Sequence, residues 1–230
     1  MNRRIGRLHQ QNLALSLALI LSGVSMLVLG LPLILLGNET LFLRVNEHCL
    51  PNFSRAAFYF SLLGESWAMG FLLLLSFGMP LRKTLFLCMC WLSAALHSWL
   101  FKLWLCKGWP RPYQYFLEKQ LSIQLADGVT PHHWNSFPSG HTITAFSMLL
   151  MIPLLFPRLK PAYILPFWVL AFGCGLSRIV LVQHWPADVL GGIILGCSAT
   201  MLSFQLMKRT FPESGWLDIS AIKLLYRNQK

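Results

Sequence analysis

The chain has 230 residues, of which 55% are hydrophobic and only 12% charged, where an ordinary soluble domain carries about a quarter charged. Nineteen basic and eight acidic residues cannot clothe a soluble core of this size, and 16 Phe with 9 Trp are too much apolar surface for a disordered chain to leave in water. The formal charge of +11 calls for no nucleic-acid partner, because membrane proteins collect basic residues in cytoplasmic loops and beside anionic head groups.

A membrane-spanning helix needs about 20 mostly apolar residues. Six stretches fit that description, at about 13–37, 56–79, 84–106, 139–156, 162–183 and 187–207. The first follows Arg3, Arg4 and Arg7, but its apolar run of about 24 residues exceeds a secretory signal core, so it reads as an uncleaved first helix. The expected architecture is all-α: a polytopic membrane domain of six transmembrane helices over residues 1–208. A cytoplasmic tail follows at 209–230, where Trp216, Leu217, Ile219, Ile222, Leu224, Leu225 and Tyr226 stand among basic residues in the pattern of an interfacial amphipathic helix. Counted on alternate sides of these spans, twelve Lys and Arg fall on the side of the termini and five on the other, which places both termini in the cytoplasm. Most of the six cysteines lie inside apolar runs and read as small hydrophobes, and no bridge is expected between Cys49 and Cys106.

Ionisable groups in or beside spans are costly and are functional candidates by default. Eight occur: Glu65, His97, Lys102, Arg111, His141, Arg178, His184 and Asp188. Span counting alone brings six of them (Lys102, Arg111, His141, Arg178, His184 and Asp188) to the outer interface. Their chemistry is that of an anion site. In Ser136-Phe137-Pro138-Ser139-Gly140-His141, Pro138 is expected at the first helical position, leaving the N–H groups of Ser139 and Gly140 free to meet a phosphate at a helix N-terminus. Arg111 and Arg178 add bidentate donors. His184, oriented by Asp188, can act as a nucleophile, and His141 as a general acid. Arg178 precedes His184 by six residues and points about 120° away on a straight helix, so the fifth span is expected to unwind near Gln183, where Pro186 favours a break.

The remaining polar residues have plainer readings. Glu65 lies in the outer half of the second span, either bonded to a neighbouring span or at the site rim. His97 is expected to pack on or bond another helix. His132 and His133 lack ligand spacing, and with Trp134 are expected to line the entrance; no metal site is expected.

Together, Lys102 with Arg111-Pro112, Pro138-Ser139-Gly140-His141, and Ser177-Arg178 through His184-Trp185-Pro186-Ala187-Asp188 resemble the three signature motifs of the type 2 phosphatidic acid phosphatase superfamily of membrane lipid phosphatases. The resemblance covers about residues 102–192. It implies metal-independent hydrolysis of a phosphate ester or diphosphate through a phosphohistidine, with no cofactor, no nucleic acid and no obligatory protein partner. In that scheme His184 attacks phosphorus, Asp188 orients it and His141 protonates the leaving oxygen, while Arg111, Arg178, Ser139, Gly140 and a lysine hold the phosphoryl oxygens. The first motif departs from the family form: the position seven before the arginine is Trp104, with Lys102 nine before and Lys107 four before. Lys102 is the favoured candidate. The implied substrates are undecaprenyl diphosphate, lipid A phosphate, phosphatidic acid or phosphatidylglycerol phosphate, presented at the outer leaflet of a bacterial inner membrane. A phosphotransferase with the same intermediate and a non-catalytic lipid-binding or transport protein are the alternatives.

Overall fold

The computed structural model of the chain describes residues 2–211 and 216–220, and among these no strand is present. Helix α1 (Asn2–Leu36) stops where Gly37 takes a left-handed φ of 78°, a conformation glycine adopts without a Cβ penalty. Helix α2 (Asn38–Leu62) begins in polar sequence, well before the apolar window that opens at Asn52. After α2 the hydrogen bonds tighten to the residue three back, from Gly64 N–H to Ser61 O at 3.0 Å and from Glu65 N–H to Leu62 O at 3.3 Å. The second span is thereby broken, and resumes as α3 (Ser66–Ser76). Helix α4 (Leu81–Leu100) passes directly into a π-helical turn at Phe101–Leu105, closed by Cys106 N–H on Phe101 O at 2.7 Å. The short α5 (Pro112–Glu118) lies in the loop that leads to α6 (Gly140–Leu155), α7 (Ile164–Val180) and α8 (Pro186–Thr210).

Five helical stretches, His9–Leu36, Asn52–Ser76 across the α2–α3 break, Leu81–Leu105 through the π-helical turn, Pro161–Val180 and Pro186–Thr210, are long and apolar enough to cross a membrane, and the protein is an integral membrane protein of all-α class. The remaining expected span, the fourth, is α6; it has 16 residues, about 24 Å at 1.5 Å per residue, and is shorter than the other five. It is capped at Ser139, carries Pro153 in its last turn, and leaves helical geometry at Phe156. Its position explains why it differs from the other five. It packs against α1, α4, α7 and α8, and Ile143, Phe146, Leu149, Leu150 and Met151 are buried, so it is the core of the bundle. The large apolar side chains left exposed, such as Leu27 and Ile34 on α1, Leu74 on α3, and Leu92 and Leu96 on α4, lie on the surrounding helices, as a lipid-facing shell requires.

The bundle has two distinct ends. At one, Gln11 Nε2 donates to Leu154 O at 3.5 Å, Leu81 N–H donates to Ile219 O at 3.0 Å, and Arg82 pairs with Asp218 at 3.0 Å. The described part of the tail is thus a pinned 3₁₀ turn at Trp216–Asp218 with Leu217 buried; Ile222, Leu224, Leu225 and Tyr226 of the expected interfacial helix lie outside the described residues. At the other end, Asn38 Oδ1 accepts from Ala187 N–H at 3.1 Å and Glu39 accepts from Tyr115 Oη–H at 2.7 Å. All six cysteines are free. His97 bonds its own helix, Nδ1 to Ser93 O at 2.7 Å, in place of the expected neighbouring helix.

Candidate active site

The end where α6 and α8 begin gathers the polar residues singled out above. Helix α7 finishes at Val180, and Val182 adopts a φ of 60°. The N–H groups of Gln183 and His184 both return to Arg178 O, at 2.9 and 3.0 Å. The expected unwinding is therefore present, and it folds His184 back over the turn that carries Arg178, which removes the mismatch of a straight helix.

Asp188 stands in the first turn of α8. Its Oδ2 accepts from Ser136 Oγ–H at 2.5 Å, from Trp185 N–H at 2.9 Å and from His184 Nδ1 at 3.2 Å. Both partners of the His184–Asp188 pair are almost wholly buried, with 2% and 4% of their side chains exposed. The bond at Nδ1 fixes the tautomer and leaves Nε2 as the working nitrogen. Nε2 faces the guanidinium of Arg111 at 3.4 Å. Arg111 is itself held by the loop: its N–H donates to His133 O at 2.8 Å, Nε to Trp134 O at 3.0 Å and Nη1 to Gln183 O at 2.8 Å. His133 and Trp134 thus contribute carbonyls that clamp an arginine.

The start of α6 differs from expectation by two residues. Ser139 is the N-cap, Gly140 the first helical residue, and Pro138 precedes the cap. The reason is tertiary: Ser139 N–H donates to Asp188 O at 3.0 Å, tying the start of α6 to that of α8. Ser139 N–H is therefore engaged, and the free first-turn donors are those of Gly140 and its successor. The Ser139 hydroxyl accepts from Thr142 N–H at 3.4 Å and lies 2.8 Å from Thr142 Oγ1.

Three more cationic or titratable groups complete the cluster. His141 Nε2 lies 3.0 Å from Glu65 Oε1. Arg178 donates through Nη1 to Ser61 Oγ, while its Nε is buried without a hydrogen-bond partner. A buried guanidinium N–H left in that state costs free energy until an acceptor arrives. Lys102 Nζ lies 3.6 Å from where a Cβ on Gly140 would sit, whereas Lys107 is exposed. Lys102, Glu65, Gly140, His141, Trp91 and Trp99 border a cavity of about 450 Å³. Burial first, then the positive groups Arg111, Arg178 and Lys102, with His141, hold the pKa of His184 well below the ordinary imidazole value. The ring is therefore neutral at physiological pH, with a lone pair on Nε2. His132 is lowered in the same way, by burial and then by Arg111, Arg178 and Lys102.

Lys102, Arg111, Ser139, Gly140, His141, Arg178, His184 and Asp188 thus lie at one end of the bundle, with Glu65 beside them, while His97 stays on its own helix. Ser136 and Ser61 were missed; isolated serines carry no signal until the fold sets one on Asp188 and the other on Arg178.

This is an integral-membrane helical bundle with a buried, cation-lined histidine–aspartate site. The chain belongs to the PAP2 superfamily, whose family model matches residues 82–212. It is similar to a lipid A 1-phosphatase of Porphyromonas gingivalis, 36% identical over 77 residues, covering 34% of this chain and 17% of that protein. It is also similar to phosphatidylglycerophosphatase B of Escherichia coli, 35% identical over 83 residues, covering 34% of this chain and 33% of that protein. The matched segment spans at most a third of either relative's length. Among solved structures, that of Aquifex aeolicus LpxE superposes with a TM-score of 0.60 at 25% identity, over 73% of this chain and 94% of that one.

Proposed function

We propose that the protein is a lipid phosphatase that hydrolyses a phosphate ester or diphosphate through a phosphohistidine on His184. The observation that carries this is the environment of His184: Nδ1 bonded to Asp188, Nε2 beside Arg111, and the ring kept neutral by burial and surrounding positive charge. In the first step Nε2 attacks phosphorus and the phosphorus–oxygen bond to the lipid breaks. Asp188 stabilises the imidazolium that forms, and His141 donates a proton to the departing oxygen. In the second, water attacks the phosphohistidine, His141 takes the proton from water, and phosphate and neutral His184 are released. Arg111, the unpaired Nε of Arg178, Lys102, the Ser139 hydroxyl and Gly140 N–H hold the phosphoryl oxygens. These donors supply the charge stabilisation that a metal supplies elsewhere, so release is expected to proceed without one.

The excess of basic residues on the terminal side supports cytoplasmic termini and a site facing the outside, the periplasm in a bacterium. The relatives' names, which include a putative undecaprenyl-diphosphatase of Escherichia coli beside the lipid A and phosphatidylglycerophosphate phosphatases, favour a bacterial envelope lipid; undecaprenyl diphosphate and lipid A phosphates lead, with phosphatidic acid and phosphatidylglycerol phosphate behind. The test is release of inorganic phosphate by detergent-purified protein across that panel, with and without EDTA. Undiminished release in EDTA is expected; complete loss on chelation, restored by a divalent ion, overturns the metal-free scheme. No release from any member overturns the hydrolase reading.

Lys102 reaches the site through the π-helical turn, and Lys107 points to solvent, so their variants should part company. Lys102→Met is expected to raise KM and lower kcat/KM by about 10- to 100-fold, the loss of one charge-assisted phosphate contact, while Lys107→Ala stays within about twofold of wild type. Steady-state kinetics on one lipid phosphate decides; the reverse ranking returns the role to Lys107.

A further inference from the structure

Eight acidic residues occur in the chain, and only Glu65 and Asp188 fall within the apolar windows of the candidate spans. An ionisable side chain within such a stretch is a functional candidate by default. Asp188 bonds Nδ1 of His184, and Glu65 bonds Nε2 of His141. Each in-span acid therefore holds one of the two site histidines, through opposite ring nitrogens. Glu65 has a plainer occupation open to it, because it is the N-cap residue of α3, but its side chain makes no capping bond there. The backbone around it is shaped to the same end. The break between α2 and α3 presses Gly64 onto His141 so closely that a Cβ at Gly64 would lie 2.6 Å from His141 Cβ and 2.7 Å from Cys174 Sγ. Ser61, in the last turn of α2, accepts from Arg178.

We infer that Glu65 is the positioning residue of the general acid, and that the α2–α3 break is the structural element that sets His141 toward the leaving group. The inference rests on the phosphatase reading. With Nε2 anchored on the Glu65 carboxylate, the imidazolium keeps Nδ1–H for the substrate. As the His184 Nε2–phosphorus bond forms, the phosphorus–oxygen bond breaks, its electron pair goes to oxygen, and the Nδ1 proton follows. His141 is then neutral and recovers that proton from the attacking water in the second step. The other charged or titratable groups facing His141 are Lys102 from the π-helical turn, Arg178 and Cys174 from α7, and His184 from the loop. Lys102 and Arg178 are cations. Glu65 is the anion that opposes them.

Such a role predicts a dependence on the leaving group that a structural role does not. Glu65→Gln keeps the size and an acceptor oxygen while removing the charge. On an alkyl phosphate such as phosphatidic acid, whose leaving oxygen must be protonated, kcat should fall by about 10- to 100-fold, less than the roughly 10²- to 10⁴-fold that a general acid itself contributes, because His141 remains in place. On p-nitrophenyl phosphate, whose leaving group departs as the anion, the loss should stay under about threefold by the same reasoning. The alkaline limb of the pH–rate profile on phosphatidic acid should move to lower pH. Glu65→Asp should recover part of the loss, and Glu65→Ala should reproduce the discrimination between substrates. Equal losses on both substrates, or no loss on either, overturns the inference. Absence of phosphate release by the wild-type protein on either substrate would instead remove the phosphatase reading on which it stands.

Discussion

Replacing His184 with alanine should reduce phosphate release to background, a fall of about 10⁴-fold or more, as expected when a nucleophile is deleted. The protein should still elute as wild type does from size exclusion, because the imidazole makes its contacts with Asp188 and Arg111 inside a loop already pinned by backbone bonds to Arg178. Asp188→Asn separates orientation from attack. The amide keeps an acceptor for Trp185 N–H and Ser136 but loses the charge that stabilises the imidazolium, so a drop of about 10²- to 10⁴-fold is expected with residual turnover remaining. Rapid quenching of wild type with radiolabelled substrate should trap label that is stable to base and released by acid, and His184→Ala should trap none. Comparable turnover by wild type and His184→Ala would end the mechanism.

The parts of this site that sequence made legible are those encoded locally or by counting. His184 and Asp188 are four residues apart, a separation that lets a loop residue reach a first-turn acid, and the alternation of spans assigns Lys102, Arg111, His141 and Arg178 to the same end. What escaped the sequence is tertiary. The start of α6 shifts by two residues because Ser139 N–H finds Asp188 O, a partner 49 positions away in the chain. The ambiguity between Lys102 and Lys107 arises because a π-helical turn has no residue signature; it exists in the bond from Cys106 N–H to Phe101 O. Glu65 stood out by its cost in a span, yet its partner follows only from the break that Gly64 allows against His141. Of the six expected spans, α6 alone is shorter than the rest, for a related reason. A helix enclosed by protein need not match the length that lipid imposes on its neighbours.

The second large effect concerns how the site is held together. Helices α6 and α8 approach closely along Gly192 and Gly196, one turn apart on α8. A Cβ at Gly192 would lie 2.7 Å from Thr142 Cβ and 2.9 Å from Ser139 O; at Gly196 it would lie 2.6 Å from Ile143 O. Small residues at four-residue spacing are how membrane helices bring backbones together, and here the obstructing atoms at both positions include main-chain oxygen, which no rotamer change can move. Gly192→Ala must therefore push the α6 start away from α8, stretching the bond from Ser139 N–H to Asp188 O that joins the α6 start to the acid bonded to His184. Overpacking of this kind costs about 1–3 kcal/mol, and the displacement should lower kcat by more than tenfold, since misplacement by about 1 Å costs about 10²-fold. Gly70→Ala is the matched control. Its Cβ meets nothing within 4 Å on α3, so the same methyl group should stabilise the helix by about 0.5–1 kcal/mol and leave turnover unchanged. Thermal unfolding in detergent and kcat on one lipid phosphate read both variants. If Gly192→Ala matches Gly70→Ala in both measurements, the close approach of α6 and α8 is not what positions the site.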